Sequence, residues 1–287
     1  MSKTSLFENF ESTSEKKWKQ KIQFELQGKD FNNSLVWKSI EGIDVKPFYH
    51  SNSFSKSEDI EYKSSKWKIG DSIFVNSIEK SNLHALNLIK NGIEALYFII
   101  PKELKSVEPL LANINLSSVT IYFETLFVSE NFTSILQKYS EKKNTIFYIL
   151  NDPISQLSKS GNWFENIKSD FNNLNKSLIS GNNLNGVVSV DLGLFQNSGS
   201  SIIQQLAYSL SHANEYLNLL NIKLIKSIVF KVSIGSNYFF EISKLQALRI
   251  LWQSLTKDYG VSINCHIISK PTKRNKTIYD YNTNMMR

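Results

Sequence analysis

From Trp67 onward, short runs of β-branched and aromatic residues alternate with longer stretches whose apolar residues recur every three or four positions. The runs are 71–76 (DSIFVN), 95–100 (ALYFII), 119–124 (VTIYFE), 144–150 (NTIFYIL), 186–192 (GVVSVDL), 227–233 (SIVFKVS) and 262–269 (SINCHIIS). None alternates strictly, as expected of strands buried on both faces of a parallel sheet. Between them the spacing predicts helices. Pro101 opens one carrying Leu104, Val107 and Leu111 on a face, at the helix position that suits proline. Phe132, Ile135, Leu136 and Tyr139 mark another, and Phe164, Ile167, Phe171, Leu174 and Leu178 a third before Gly181. Ile203, Leu206, Leu210, Ala213, Leu217 and Leu220 form a longer stripe, and Ile242, Leu245, Leu248, Trp252 and Leu255 a last one closed by Gly260.

This is β-α repeated seven times. Right-handed crossovers turn that rhythm into an open doubly wound sheet or a (β/α)8 barrel. No strand leads into the glycine-rich turn of a dinucleotide site, which favours the barrel. The expected fold is therefore α/β, a TIM-type (β/α)8 barrel over residues 66–287 with seven βα units present and the eighth missing. Residues 1–65 read differently. Ser12-x-x-Glu15 has the form of a capping box, and Trp18, Ile22 and Leu26 recur at helical spacing before Gly28. The following stretch, SLVWKSIEGIDVKPFYHSNSFSKSED, is rich in aromatics without a sustained period. It predicts an extended arm lying on another surface, because its apolar side chains need somewhere to bury.

Composition narrows the class. Of 287 residues, 41% are hydrophobic and 21% charged, which argues against disorder. The net charge of +7 is modest and unclustered; of the densest basic stretches, 16–21 holds a single aromatic, Trp18, and 270–276 none, short of a base-stacking surface. Nucleic acid is not an expected partner. No apolar run approaches a membrane span, and the first residues lack the apolar core of a signal peptide. A single cysteine, Cys265, excludes an intrachain disulfide and makes a reducing cytoplasm the expected location.

Catalytic motifs are sparse. The chain has no GxxxxGK[ST], HExxH, GxSxG or CxxC, and His50, His84, His212 and His266 show no metal-ligand spacing. In a barrel, function gathers at the C-terminal strand ends. There the candidates for a substrate pocket are Ser72, Asn151, Asp152, Gln196 and Asn197, together with His266 in the seventh strand, which reads equally as a group pointing into the barrel or as a packed interior histidine. Glu124 and Asp152 are the only carboxylates at those ends, and no histidine or lysine of matched spacing accompanies them. Asn151-Asp152-Pro153 also reads as a turn and helix start.

Several longer strings carry a family resemblance. LVWKSIEGIDVKPFYH resembles the N-terminal arm of methylmalonyl-CoA mutases, and VDLGLFQNSGSSIIQQLAYSLSHANEYLNLL the fifth strand, loop and helix of their barrel. FFEISKLQALRILWQSL is similar to the family pattern E-I-x-K-x-x-A-x-R-x-L-W through Glu241, Lys244, Ala247, Arg249, Leu251 and Trp252. RNKTIYDYNTNMMR follows N-x-T-x-Y-D-x-x-x-N-M-x-R through Asn275, Thr277, Tyr279, Asp280, Asn284, Met285 and Arg287. Four strings in the right order span the chain from about Trp18 to Arg287. The resemblance implies a substrate barrel from an adenosylcobalamin-dependent isomerase interconverting methylmalonyl-CoA and succinyl-CoA, in which the cofactor supplies the radical chemistry.

The departures select a subunit type. Ser65 and Gly70 stand where the resemblance places arginines, and Ser72 where it places an active-site tyrosine. Gly193 and Leu194 take the places of a Tyr-His pair, and Leu150 that of a glutamine. Losing the histidine removes a donor and a titratable group together. The DPISQLSKSGNWF insertion and the VDLGLFQNSG string resemble the small, non-catalytic subunit of the heterodimeric enzymes. The resemblance thus implies a chain that is inactive alone and assembles with a large catalytic subunit. Adenosylcobalamin would be bound by that partner and not by this chain, which lacks D-x-H-x-x-G. Trp37, Val45, Pro47, Phe48 and Tyr49 of the arm are the expected interface anchors. The alternatives are an active or rebuilt acyl-CoA mutase and a barrel-derived protein that binds CoA esters. An unclosed parallel barrel exposes two strand edges, so the chain reads as C-terminally truncated.

Overall fold

A computed structural model describes residues 10–53 and 67–286. Ser65 lies outside them. The chain divides into two compact units, Met1–Lys63 and Ser64–Arg287.

In the first unit, α1 (Glu15–Glu25) starts on Ser14, whose hydroxyl accepts from the Lys17 N–H at 3.3 Å. The cap is Ser14 and not Ser12, because a capping oxygen must reach the N–H three residues on. Glu15 then lies in the first turn and favours the positive end of the helix dipole. A short α2 (Phe31–Leu35) follows, capped by Asp30. The stretch expected to be an extended arm contains an antiparallel ribbon, β1 (Trp37–Lys38) against β2 (Asp44–Val45). Gly42, at φ +74, supplies the left-handed turn that lets the ribbon fold back. Trp18 stacks on Phe48 with centroids 4.1 Å apart, joining α1 to the residues after the ribbon. Among the described residues of this unit, only Ser39 is buried.

The second unit is a sheet of seven parallel strands in sequential order. They are β3 (Gly70–Phe74), β4 (Ala95–Ile100), β5 (Thr120–Thr125), β6 (Phe147–Asn151), β7 (Gly186–Asp191), β8 (Ser227–Ile234) and β9 (Asn264–Pro271). Its helices are α3 (Ile78–Lys90), α4 (Glu130–Lys143), α5 (Pro153–Ser160), α6 (Ile167–Ser180), α7 (Leu192–Asn197), α8 (Ile202–Leu219), α9 (Tyr238–Asp258) and α10 (Tyr281–Met286). Local chemistry explains their limits. Ser201 and Gln204 form a reciprocal capping box at the start of α8. Ser129 caps α4, which ends on Asn144 in the left-handed region at φ 47.

The helix expected after Pro101 does not form. Pro109 lies inside the stretch and lacks the N–H a helix interior needs. The segment instead makes turns that bury Val107, Leu110, Leu111 and Ile114. The Asn82 side-chain amide of α3 donates to the carbonyls of Leu110 and Ala112, at 2.8 and 2.9 Å.

The outer face of the sheet is the main core, where Phe98, Phe123, Phe147, Phe230 and Trp252 pack among aliphatic side chains. The sheet curls, because side chains of early and late strands meet on the other face: Tyr122 of β5 lies 2.8 Å from His266 of β9. The architecture is TIM-like, a half-barrel with no eighth strand among the described residues.

Candidate functional site

Register and the two-residue period of a strand decide what faces the lumen. Ser72 is level with Tyr97, Tyr97 with Tyr122, and Tyr122 with Tyr148. Asp191 is level with Lys231, and Val229 with His266. The concave face therefore carries Tyr97, Tyr122, Glu124, Tyr148, Asp191, Lys231, His266 and Lys270, where an apolar protein core would have aliphatic groups.

These side chains form two layers. In the first, the His266 ring stacks on Tyr148 at 4.5 Å, with its Nε2 2.8 Å from the Tyr122 hydroxyl. Tyr122 also stacks on Tyr148, at 4.9 Å. Burial lowers His266 to about 4, so the ring is neutral near pH 7. Desolvation raises the Tyr122 and Tyr148 phenols, which stay protonated.

The second layer, nearer the C-terminal strand ends, is an ion network. Lys231 Nζ lies 2.6 Å from Glu124 Oε1 and 3.6 Å from Asp191 Oδ2. The Tyr97 hydroxyl donates to Glu124 Oε2 at 2.6 Å, and Lys159 of α5 reaches Asp191 Oδ2 at 2.8 Å. Lys270 Nζ sits 3.9 Å above the Tyr97 ring. Burial, the largest single influence, opposes charge on Glu124 and Asp191, yet Lys231 together with Tyr97 at Glu124 and Lys159 at Asp191 holds both carboxyls below their ordinary values. Burial likewise opposes the Lys231 ammonium, but Tyr97, Glu124 and Asp191 hold it well above its ordinary value. A lysine so firmly charged is a poor nucleophile. Burial lowers Lys270.

The expectation that Glu124 and Asp152 lack basic partners is corrected here. Lys231 comes to Glu124 from 107 positions away. His212, on α8, places Nε2 2.9 Å from Asp152 Oδ1. Asp152 also accepts from the Tyr216 hydroxyl at 2.8 Å and from the Ser155 N–H at 2.9 Å, capping α5. Burial would raise this carboxyl, but the neighbouring His212 and Lys231 hold it well below the usual range. Spacing along the chain does not reveal such pairs, because a parallel barrel joins residues of distant strands. One signal was present: Lys231 is a lone charge inside the apolar run SIVFKVSI.

The other candidates separate. Asn151 is buried and stitches three strands, accepting from Thr125 Oγ1 at 2.8 Å and donating to the Val187 carbonyl at 3.0 Å. It lies where the β6–β7 register shifts. Ser72 is exposed on the edge strand, its N–H taken by Asp71 Oδ1 at 2.6 Å. Gln196 is buried on α7. Asn197 is exposed and accepts from the Lys273 N–H at 3.1 Å, tying α7 to the segment after β9. The structure thus brings His266 into the lumen and leaves Ser72, Asn151, Asp152, Gln196 and Asn197 in separate settings.

The Tyr122–Tyr148–His266 stack and the Lys231 network stand on the concave face, where an acyl-pantetheine chain would have to skirt or displace them. A Cβ on Gly193 would lie 2.5 Å from Ser233 Oγ, so the tyrosine of the resembling motif would require the Ser233 side chain to turn away. Among the described residues no group of three or more His, Cys, Asp or Glu could hold a metal ion. Nor among them is any helix long and apolar enough to cross a membrane.

A family model described as methylmalonyl-CoA mutase matches residues 102–287. The methylmalonyl-CoA mutase small subunit of Porphyromonas gingivalis is 27% identical, covering 99% of this chain and 51% of that protein. A methylmalonyl-CoA mutase of Cereibacter sphaeroides is 22% identical, covering 85% of this chain and 42% of that protein. The chain spans about half the length of the curated relatives it matches. A mandelate racemase/muconate lactonizing enzyme from Roseiflexus sp. aligns with a TM-score of 0.40 at 10% identity, over 71% of this chain and 48% of that one. A likeness that slight carries no argument. Matched over more than half its length by one family model, this chain belongs to the methylmalonyl-CoA mutase family.

Proposed function

We propose that this chain is a small, non-catalytic subunit that contributes to methylmalonyl-CoA/succinyl-CoA isomerisation by assembling with a large catalytic subunit. The observation that carries the reading is what stands on the concave face. The Tyr122–Tyr148–His266 stack and the Lys231–Glu124 ion pair lie there and would obstruct an acyl-CoA chain on its way to a cofactor. The small-subunit name of the Porphyromonas gingivalis relative supports the same reading. Adenosylcobalamin would then reside in the partner and supply the radical chemistry there. The cytoplasm, where CoA thioesters are made, is the corresponding location.

The first unit is the proposed contact surface. Trp37 and Tyr49 are 52% and 46% exposed, Pro47 is exposed, and Val45 and Phe48 are half-buried. Large rings presented this way are the usual anchors of protein interfaces. The chain would be purified natively with whatever copurifies, and turnover of methylmalonyl-CoA measured with adenosylcobalamin for the chain alone and for the complex. The expected result is turnover by the complex only, with cobalamin absorbance following the partner. Turnover by the isolated chain would sink the proposal. Replacing Trp37 and Tyr49 by alanine should weaken assembly at least roughly tenfold while leaving the fold intact.

A further inference from the structure

Four aromatic rings stand in one row on the concave face, each near the next. Tyr97 lies 6.2 Å from Tyr122, Tyr122 4.9 Å from Tyr148, and Tyr148 4.5 Å from the His266 ring, the last two pairs stacked. His266 also closes back on Tyr122, with 5.7 Å between ring centroids and 2.8 Å from Nε2 to the phenol oxygen. The tyrosines adjoin because Tyr97, Tyr122 and Tyr148 share one register level on neighbouring strands. Filling a face needs only apolar rings, whereas these carry hydroxyls with particular partners.

The hydroxyls differ in what they meet. The Tyr97 hydroxyl donates to Glu124, whose carboxylate is already engaged by Lys231 at 2.6 Å. The Tyr148 hydroxyl accepts from the Asn185 side chain at 3.3 Å. The Tyr122 hydroxyl meets His266, an imidazole that burial keeps neutral near pH 7. Tyr122 is thus the phenol whose proton can pass to a neutral base without breaking an ion pair. It is buried, while Tyr148 and His266 are half-buried, so the stack itself connects Tyr122 to the surface.

We propose that this row is a one-electron oxidation site: an outer-sphere oxidant takes an electron from the stack, the vacancy settles on Tyr122, and the Tyr122 proton moves to His266 Nε2. The imidazole would carry its own proton on Nδ1, leaving Nε2 as the acceptor. Phenol, imidazole and oxidant become a neutral phenoxyl radical, an imidazolium and the oxidant reduced by one electron. Removing an electron makes a phenol strongly acidic, so even an imidazole of low basicity takes the proton. Burial of Tyr122 keeps its radical from coupling with that of a second molecule, a fate open to Tyr279 and Tyr281, which are 92% and 81% exposed. The inference stands apart from the subunit reading, since it needs neither a partner nor a CoA ester.

The test oxidises the full 287-residue chain with a ruthenium(III) polypyridyl complex generated by a laser flash. The phenoxyl radical is followed by transient absorption and, in frozen samples, by electron paramagnetic resonance. The parent should give a long-lived signal that forms more slowly in heavy water. Its hyperfine pattern should change when the histidine nitrogens are isotopically replaced. Both readouts use the parent chain, so they stand even where a variant fails to fold. Tyr122→Phe keeps the ring and should abolish the signal, whereas Tyr279→Phe should leave it. His266→Gln keeps an acceptor for the phenol but not a base, and should slow radical formation at least roughly a hundredfold, the low end of what a positioned base contributes. A signal that survives Tyr122→Phe overturns the proposal. So does one that ignores heavy water and histidine labelling, the row then serving as packing only.

Discussion

On the outer face of the sheet, Phe98, Phe123, Phe147 and Phe230 pack with Leu136, Leu174 and Trp252 under the helices. On the concave face, the same strands carry Tyr97, Glu124, Tyr148 and Lys231. The outer face is stabilised by area removed from water, a contribution each residue makes whichever apolar neighbour it meets. The inner face is stabilised only if particular partners meet, because an unpaired buried charge is costly. Its stability is therefore collective, and it responds to single substitutions and to pH in ways the outer face does not.

The largest expected effect comes from Lys231→Met, which strands the Glu124 carboxylate, leaves Asp191 with Lys159 alone, and should cost about 3–5 kcal/mol in urea unfolding. Combining it with Glu124→Gln should recover part of the loss. Equal losses in the single and double variants would mean that packing, not pairing, is what Lys231 supplies.

A pH titration separates the faces next. His266 has its pKa lowered to about 4 from 6.5, so its neutral form is favoured on folding. Its contribution is full above the unfolded value and is lost as pH falls from 6.5 through about 4, approaching roughly 3 kcal/mol. Glu124, Asp191 and Asp152 also have lowered values, but their contributions persist until the pH falls below the ordinary carboxylate range near ~4. The urea midpoint should thus decline between those two pH values, and His266→Gln should flatten the slope. An unchanged slope in that variant would remove His266 from the account.

Asn82→Ala, in the outer layer, should cost about 1–3 kcal/mol by leaving the Leu110 and Ala112 carbonyls without their donor. The smallest effect is expected at Lys142 and Glu108, which pair at 2.6 Å as Lys231 and Glu124 do, but in solvent. Lys142→Ala should leave the unfolding midpoint unchanged. Together the two pairs ask whether burial or distance sets the strength of an ion pair.

The outer face was the more legible in the sequence. Apolar runs at 95–100 and 227–233 mark strands, and the stripe from Leu206 to Leu217 marks α8, since burial against any neighbour imposes that periodicity. Where a local rule failed, another local feature outweighed it. Pro109 prevented the helix after Pro101, and the residue adjoining α1 took the cap from Ser12. The candidate site was less legible. Asn151 and Gln196 look like pocket residues at strand ends, yet Asn151 binds backbone at a register shift and Gln196 is buried on α7. Those roles depend on the orientation of neighbouring strands, which one-dimensional spacing does not encode.

From residue order alone came the seven strands of the sheet, their parallel rhythm, the helices α1, α4, α6, α8 and α9 and the membership of a family, because each rests on a local pattern or a contiguous string. Only the tertiary structure joined Lys231 to Glu124, His212 to Asp152 and His266 to Tyr122. The first and last of these pairs exist because the sheet curls, and the second because α8 packs over the end of β6. Curling brings together side chains that lie 107 and 144 positions apart for the first and last of them, and it is set by the twist of the whole sheet rather than by any one strand.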